Sequence, residues 1–216
     1  MPVSSKPAAY HHGDLKRVLV EAACAIVAEE QNWDFSLREV ARRAGVSHNA
    51  PYRHFPEKLD LLAAVAAEGF IALGVAMTKA ADGVESPEEA LVELGNAYVK
   101  FGIINGARYR LMFGTVLASS KTKAPALVLE AASRSQAILA NVIAAGVKKG
   151  QFAASDDDEM AILVLSACST VHGLTMLLID GLSDVEYTPS LSAKVGQTLL
   201  SGIVQRSRST ITQQAV

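Results

Sequence analysis

The sequence predicts an all-α protein, with a small N-terminal helical head followed by a larger helical body. Two observations carry this. Apolar residues recur at spacings of three and four along the 216-residue chain, while strand-like alternation never persists. Helix start and stop signals divide those stripes at short intervals near the N-terminus and at long intervals beyond residue 83. Half the residues are apolar and 19% are charged, which excludes the disordered and collagen-like classes and leaves ample material for a core.

The elements follow in order. Residues 1–9, rich in Pro, Ser and Ala, read as a disordered arm. Leu15, Val18, Leu19, Ala22 and Ile26 form the stripe of a first helix of about four turns, with Asp14 placed to cap it. Ser36 and Glu39 have the spacing of a capping box, and Phe35 and Val40 occupy the staple positions around it. The helix so started ends at Gly45, which tolerates the left-handed conformation of a C-cap. A third helix is expected from Ser47, with Pro51 in its first turn, and a fourth from Pro56, striped by Leu59, Leu62, Val65, Ala66, Phe70 and Leu73. Longer helices are expected at 87–105, 107–118 (with a break at 119–123), 125–149, 156–180 and 190–208. Lys148 and Lys149 at one helix end, and Asp156 to Asp158 at the next start, suit the helix dipole.

Several classes of protein are disfavoured. The net charge of −2 advertises no nucleic-acid partner, but an average can hide a local basic face. Residues 160–179 contain no Asp, Glu, Lys or Arg and have the length of a membrane span. Their Ser, Thr and His residues and acidic flanks instead favour a soluble helix covered on several sides. Cys24 and Cys168, far apart in apolar runs, read as buried thiols of a reducing compartment, and the N-terminus lacks an apolar signal core. A cytoplasmic protein is therefore expected. His11 and His12 have no third ligand at metal-site spacing, no Gly-rich phosphate loop is present, and neither Cys has a nearby activating base; no cofactor, metal or catalytic residue is assigned.

Residues 36–55 carry the functional signal. A helix, a Gly-containing turn and a short second helix polar on one side is the plan of a helix-turn-helix DNA reader. Ala41 is small where the helices approach, while Val40, Ala44, Val46 and Phe55 can pack inward. His48, Asn49, Tyr52, Arg53 and His54 are left to face a duplex. From residue 36 to 58 the net charge is +3 with histidines neutral, enough to attract phosphates locally.

Three separated segments, Tyr10-His-His-Gly-Asp-Leu, Ser36-Leu-Arg-Glu-Val-Ala-Arg-Arg-Ala-Gly-Val-Ser and Tyr52-Arg-His-Phe-Pro-Glu-Lys, resemble the N-terminal domain of TetR/AcrR-type transcriptional regulators in order and spacing. The rest resembles a TetR C-terminal domain type with a Trp-His-Gly signature in its penultimate helix. Here the signature reads Val171-His172-Gly173. The resemblance implies a helix-turn-helix DNA-binding domain over 10–58 and a ligand-binding and dimerisation domain over 59–216. It implies that the helix from Ser47 enters the major groove, where Asn49 can pair with adenine and His48 can meet guanine or phosphate. Tyr52, His54 and Lys58 fall at phosphate-holding positions, and Ser36, Arg38, Ser47 and Arg53 complete the DNA-facing set.

In the body, the resemblance implies a homodimer closed by the last two helices, with Leu163, Ala167, Leu174, Leu191, Val195, Leu199 and Ile203 at the interface. A small-molecule effector would bind among Phe70, Leu73, Met77, Phe101, Met112, Phe113 and Met176, with Tyr98 and His172 as polar anchors. The expected function is a ligand-responsive dimeric repressor that binds a near-palindromic double-stranded DNA operator and has no enzymatic activity. The alternative is a helical small-molecule-binding protein or enzyme that does not bind DNA.

Overall fold

A computed structural model describes residues 12–118 and 124–213 of the chain, with side-chain burial for 15–118 and 124–202. The arm at 1–9, His11 and the break at 119–123 lie outside the described residues. Among the described residues the protein is helical without strands: α1 (His12–Glu30), α2 (Leu37–Arg43), a single 3-10 turn (Pro51–Arg53), α3 (Lys58–Ala81), α4 (Pro87–Ile104), α5 (Gly106–Phe113), α6 (Ala126–Lys148), α7 (Asp157–Ile179) and α8 (Pro189–Gln213).

In the head, α1 buries Leu19, Ala22 and Ile26. It begins at His12, upstream of Asp14, which is therefore inside the helix and not its cap. The start of α2 is as the sequence predicts: Glu39 N–H donates to Ser36 Oγ at 3.2 Å. The Glu39 carboxylate does not complete the box; it lies 3.7 Å from the Arg42 guanidinium. At the other end Gly45 takes φ +66, with its N–H bonded to Arg42 O at 3.2 Å and the Val46 N–H to Ala41 O at 3.0 Å. These two bonds reverse the chain, and only glycine enters that conformation without strain.

The expected helix from Ser47 is replaced by successive tight turns. Ala50 N–H bonds Ser47 O at 2.9 Å, and His54 and Phe55 N–H both bond Pro51 O, at 2.9 and 2.8 Å. Pro51 supplies no N–H, so no longer α-helical ladder can run through this segment. The next helix starts at Lys58 rather than Pro56, because Glu57 and Asp60 form a complete reciprocal capping box.

Among the described residues two helices are long and apolar enough to cross a membrane, and their surroundings differ. The most apolar stretch of α3 is 67% buried, since α3 packs against α1, α4, α5 and α6 and links head to body. That of α7 is only 17% buried. α7 rests on α4, α6 and α8 with its inner face, while Ile162, Leu165 and Leu177 are exposed. The helix expected at 107–118 stops at Phe113, where Gly114 takes an extended conformation.

Candidate nucleic-acid interface and body cavity

The head is held by a small core under its turns. Phe35, Leu37, Val40, Ala41, Pro51 and Phe55 are buried there, with Ala44 and Val46 half-buried against the same cluster. Burial of these side chains leaves the polar ones outside. Ser36, Arg38, Ser47, His48, Asn49, Tyr52 and Arg53 are exposed, and His54 and Lys58 are half-buried. Tyr52 is 46% exposed, so it is not a packing aromatic. The set comes from three adjacent places: the start of α2, the turns at 47–54 and the start of α3.

The charges are unequally free. Arg43 pairs with Glu29 of α1, and that hydrogen bond holds the Glu29 carboxyl below its usual range and ties α2 to α1. Arg42 faces Glu39. Arg38, Arg53 and Lys58 have no ion pair among the described residues. Lys58 Nζ lies 5.2 Å from the Phe35 ring centroid, a cation–π placement that holds it at the α3 N-terminus beside the helix's free N–H groups.

The body holds a partly open apolar cavity of about 270 Å³ between α3, α4, α5, α6, α7 and α8. Five of the nine predicted pocket residues line it: Phe70, Leu73, Met77, Tyr98 and Phe113. Leu94, Leu139, Cys168 and Val171 line it as well. The other four are placed elsewhere. Phe101 is buried in the core, Met112 packs where a Cβ on Gly69 of α3 would overlap it, and Met176 is half-buried against the core. His172 stands behind the wall.

His172 is there because of a residue the sequence reasoning missed. Tyr109, fully buried, lies with its hydroxyl 2.7 Å from His172 Nδ1 and 2.9 Å from the Tyr98 hydroxyl. Phe113 closes the group, its ring centroid 4.6 Å from His172, 4.7 Å from Tyr109 and 5.1 Å from Phe70. Burial pushes both phenols well above the usual tyrosine range and holds His172 below the usual histidine value. A signal was present, since Tyr109 precedes Phe113 by one helical turn on the same stripe.

The predicted interface residues divide likewise. Ala167 is buried and lines the cavity, so it faces inward, while Leu199 lines the cavity and is half-buried. Leu163, Leu174, Leu191 and Val195 are half-buried, and the Ile203 side chain lies outside the described residues. The uncovered apolar positions on α7 are instead Ile162, Leu165 and Leu177. Cys24 and Cys168 are free thiols, each raised by burial.

Comparison with known proteins agrees with this geometry. Residues 19–65 match the profile described as bacterial regulatory proteins, tetR family, and residues 91–195 match that of the tetracyclin repressor-like C-terminal domain. A search of curated proteins gave no match. Among solved structures, a protein of unknown function from Rhodococcus sp. RHA1 is 30% identical, with TM-score 0.77, over 92% of this chain and 100% of its own. A regulatory protein in the tetR family from Rhodococcus RHA1 is 21% identical, with TM-score 0.64, over 88% and 96%. The fatty acid degradation regulator FadR from Bacillus halodurans is 20% identical, with TM-score 0.69, over 86% and 98%. An all-helical chain with a reversed Gly turn under an exposed polar reading segment, matched at both ends by these profiles, belongs to the TetR family of DNA-binding transcriptional regulators.

Proposed function

We propose that the protein is a cytoplasmic homodimeric repressor, released from a near-palindromic operator by a small, largely apolar effector held in the body cavity. The observation that carries this reading is the placement of α3 and α5. α3 begins beside the reading turns with Lys58 and continues to the cavity wall with Phe70, Leu73 and Met77. α5 packs on both α1 and α3 and brings Phe113 to the cavity. An occupant that repositions either helix therefore repositions the head.

Asn49 and His48 read base edges, while Tyr52, His54, Lys58, Arg38, Arg53, Ser36 and Ser47 hold phosphates and set the register. One such turn segment reads only a few base pairs, so specificity requires two heads about one DNA turn apart. Pairing of two α7 faces through Ile162, Leu165 and Leu177 supplies the second head and covers apolar surface that a monomer leaves in water. By linkage, the effector binds the DNA-free protein more tightly than the DNA-bound protein, by the factor by which it weakens DNA binding.

Footprinting of the DNA flanking the protein's own gene tests the reading. A protected near-palindrome is expected with the native protein, and loss of protection with the Tyr52→Ala, Lys58→Ala double variant. Equal, sequence-independent binding by both proteins at moderate salt contradicts it.

A further inference from the structure

The hydrogen-bond chain behind the cavity wall has a direction. Tyr109 Oη stands between Tyr98 Oη at 2.9 Å and His172 Nδ1 at 2.7 Å. One phenol carries one proton, so Tyr109 donates to one neighbour and accepts from the other. The Thr175 hydroxyl also reaches Tyr109 but gives its own proton to Val171 O at 2.6 Å, and two orders run a proton along the chain between Tyr98 and His172. When Nδ1 bears no proton, Tyr109 donates to it and Tyr98 donates to Tyr109; the Tyr98 oxygen then offers only lone pairs to a ligand. When Nδ1 bears the proton, it donates to Tyr109, Tyr109 donates to Tyr98, and the Tyr98 proton is left free. Burial keeps both phenols protonated and His172 neutral, so at neutral pH the two orders differ only in which nitrogen of His172 holds its proton.

Tyr98 is the member of the chain that lines the cavity; Tyr109 and His172 do not. The other polar lining groups are Ser135 and Gln136 on α6, the Cys168 thiol, a weak donor, and Thr170, whose hydroxyl already donates to Ser166 O at 2.9 Å. The arrangement with Tyr109 donating to Tyr98 leaves the Tyr98 proton as the donor that a ligand would meet. An acceptor oxygen placed against Tyr98 in the opposite order would face lone pairs and remain buried without a partner, which the handed-on proton avoids.

We propose that the Tyr98–Tyr109–His172 chain is the polarity filter of the cavity: it receives an apolar molecule bearing a carbonyl-type acceptor oxygen on the Tyr98 hydroxyl, and that binding fixes the His172 proton on Nδ1. The proposal rests on the reading of the cavity as an effector site. Tyr98 is the ligand-contacting residue, and Tyr109 and His172 are positioning residues that set which way its proton points.

The test uses the full-length protein labelled with 15N-histidine, with 2-octanone and n-octane as probes of equal chain length with and without an acceptor. The His172 ring nitrogens are assigned by their loss in His172→Gln. In the native protein, 2-octanone is expected to shift the His172 nitrogens toward the Nδ1–H form, and n-octane to leave them unchanged. Tyr98→Phe is expected to weaken 2-octanone about tenfold and n-octane less than twofold. Unchanged n-octane affinity shows that the variant retains its fold and cavity. Equal 2-octanone affinity in the native protein and Tyr98→Phe, or weakened binding without any change at His172, overturns the filter while leaving the cavity as an effector site. Failure of both probes to bind the native protein overturns the cavity reading and the filter together.

Discussion

Asn49 and Lys58 are both in the head but are assigned different work in the proposed function, and substitution separates them. An amide bidentate to adenine discriminates among bases, so Asn49→Ala is expected to cost about 1–3 kcal/mol on the preferred site and to relax preference at one position per half-site. A phosphate contact carries no sequence, so Lys58→Ala is expected to weaken all duplexes alike and to reduce the salt dependence of binding by about one ion per head. Salt titrations on matched and scrambled duplexes check both. In the body, Val171 lines the cavity where the resembled signature has Trp, so the smaller residue leaves room. Val171→Trp is expected to fill that space and abolish binding of apolar probes, read as loss of their stabilising thermal shift. His172 makes a pH prediction. Desolvation lowers its folded pKa below the unfolded value near 6.5, so the unfolded chain takes up its proton first as pH falls. Its contribution to stability is thus complete above about pH 6.5 and is lost below it, as pH falls through the folded pKa. The stability difference between pH 7.5 and pH 5 is expected to shrink in His172→Gln, measured by urea unfolding.

At the scale of elements, the proposed dimer depends on α7. Its inner residues Val164, Ala167 and Thr175 are buried against the body, while Ile162, Leu165 and Leu177 stay exposed on a helix apolar enough for a membrane. Leu165→Asp alters a residue that is 62% exposed in the protomer, so the fold is expected to survive. The dimer is expected to dissociate, with sedimentation giving the protomer mass and helical circular dichroism unchanged. The sequence made the helices legible because stripes, caps and dipole charges at 87–105, 125–149 and 156–180 agree at each level. It predicted a helix from Ser47 with Pro51 in its first turn, where the chain instead runs through tight turns around Pro51. It also assigned Ala167, which is buried toward the cavity, to a subunit interface. An apolar helix has no polar stripe to mark its exposed side, so only packing separates the face toward α4 from the face toward solvent.

Across the whole molecule, the DNA-reading role was legible because it depends on local chemistry: a cap at Ser36, a reversed turn at Gly45 and exposed polar residues between Ser47 and His54. The cavity was legible only in part, because Leu139 and Val171 reach it from separate helices, and Tyr109 stands behind its wall, through tertiary packing that no spacing encodes. One continuous core runs from Leu19 in α1 to Leu200 in α8, so a body that changes shape has a packed route to the head. The measurement that most directly tests a paired, sequence-reading head is selection of duplexes from a random library by the full-length native protein at physiological salt. A near-palindrome is expected to be enriched, with half-sites centred about one helical turn apart, and enrichment is expected to vanish with the Tyr52→Ala, Lys58→Ala variant. A selected pool as random as the input, or one equally enriched by that variant, would contradict it.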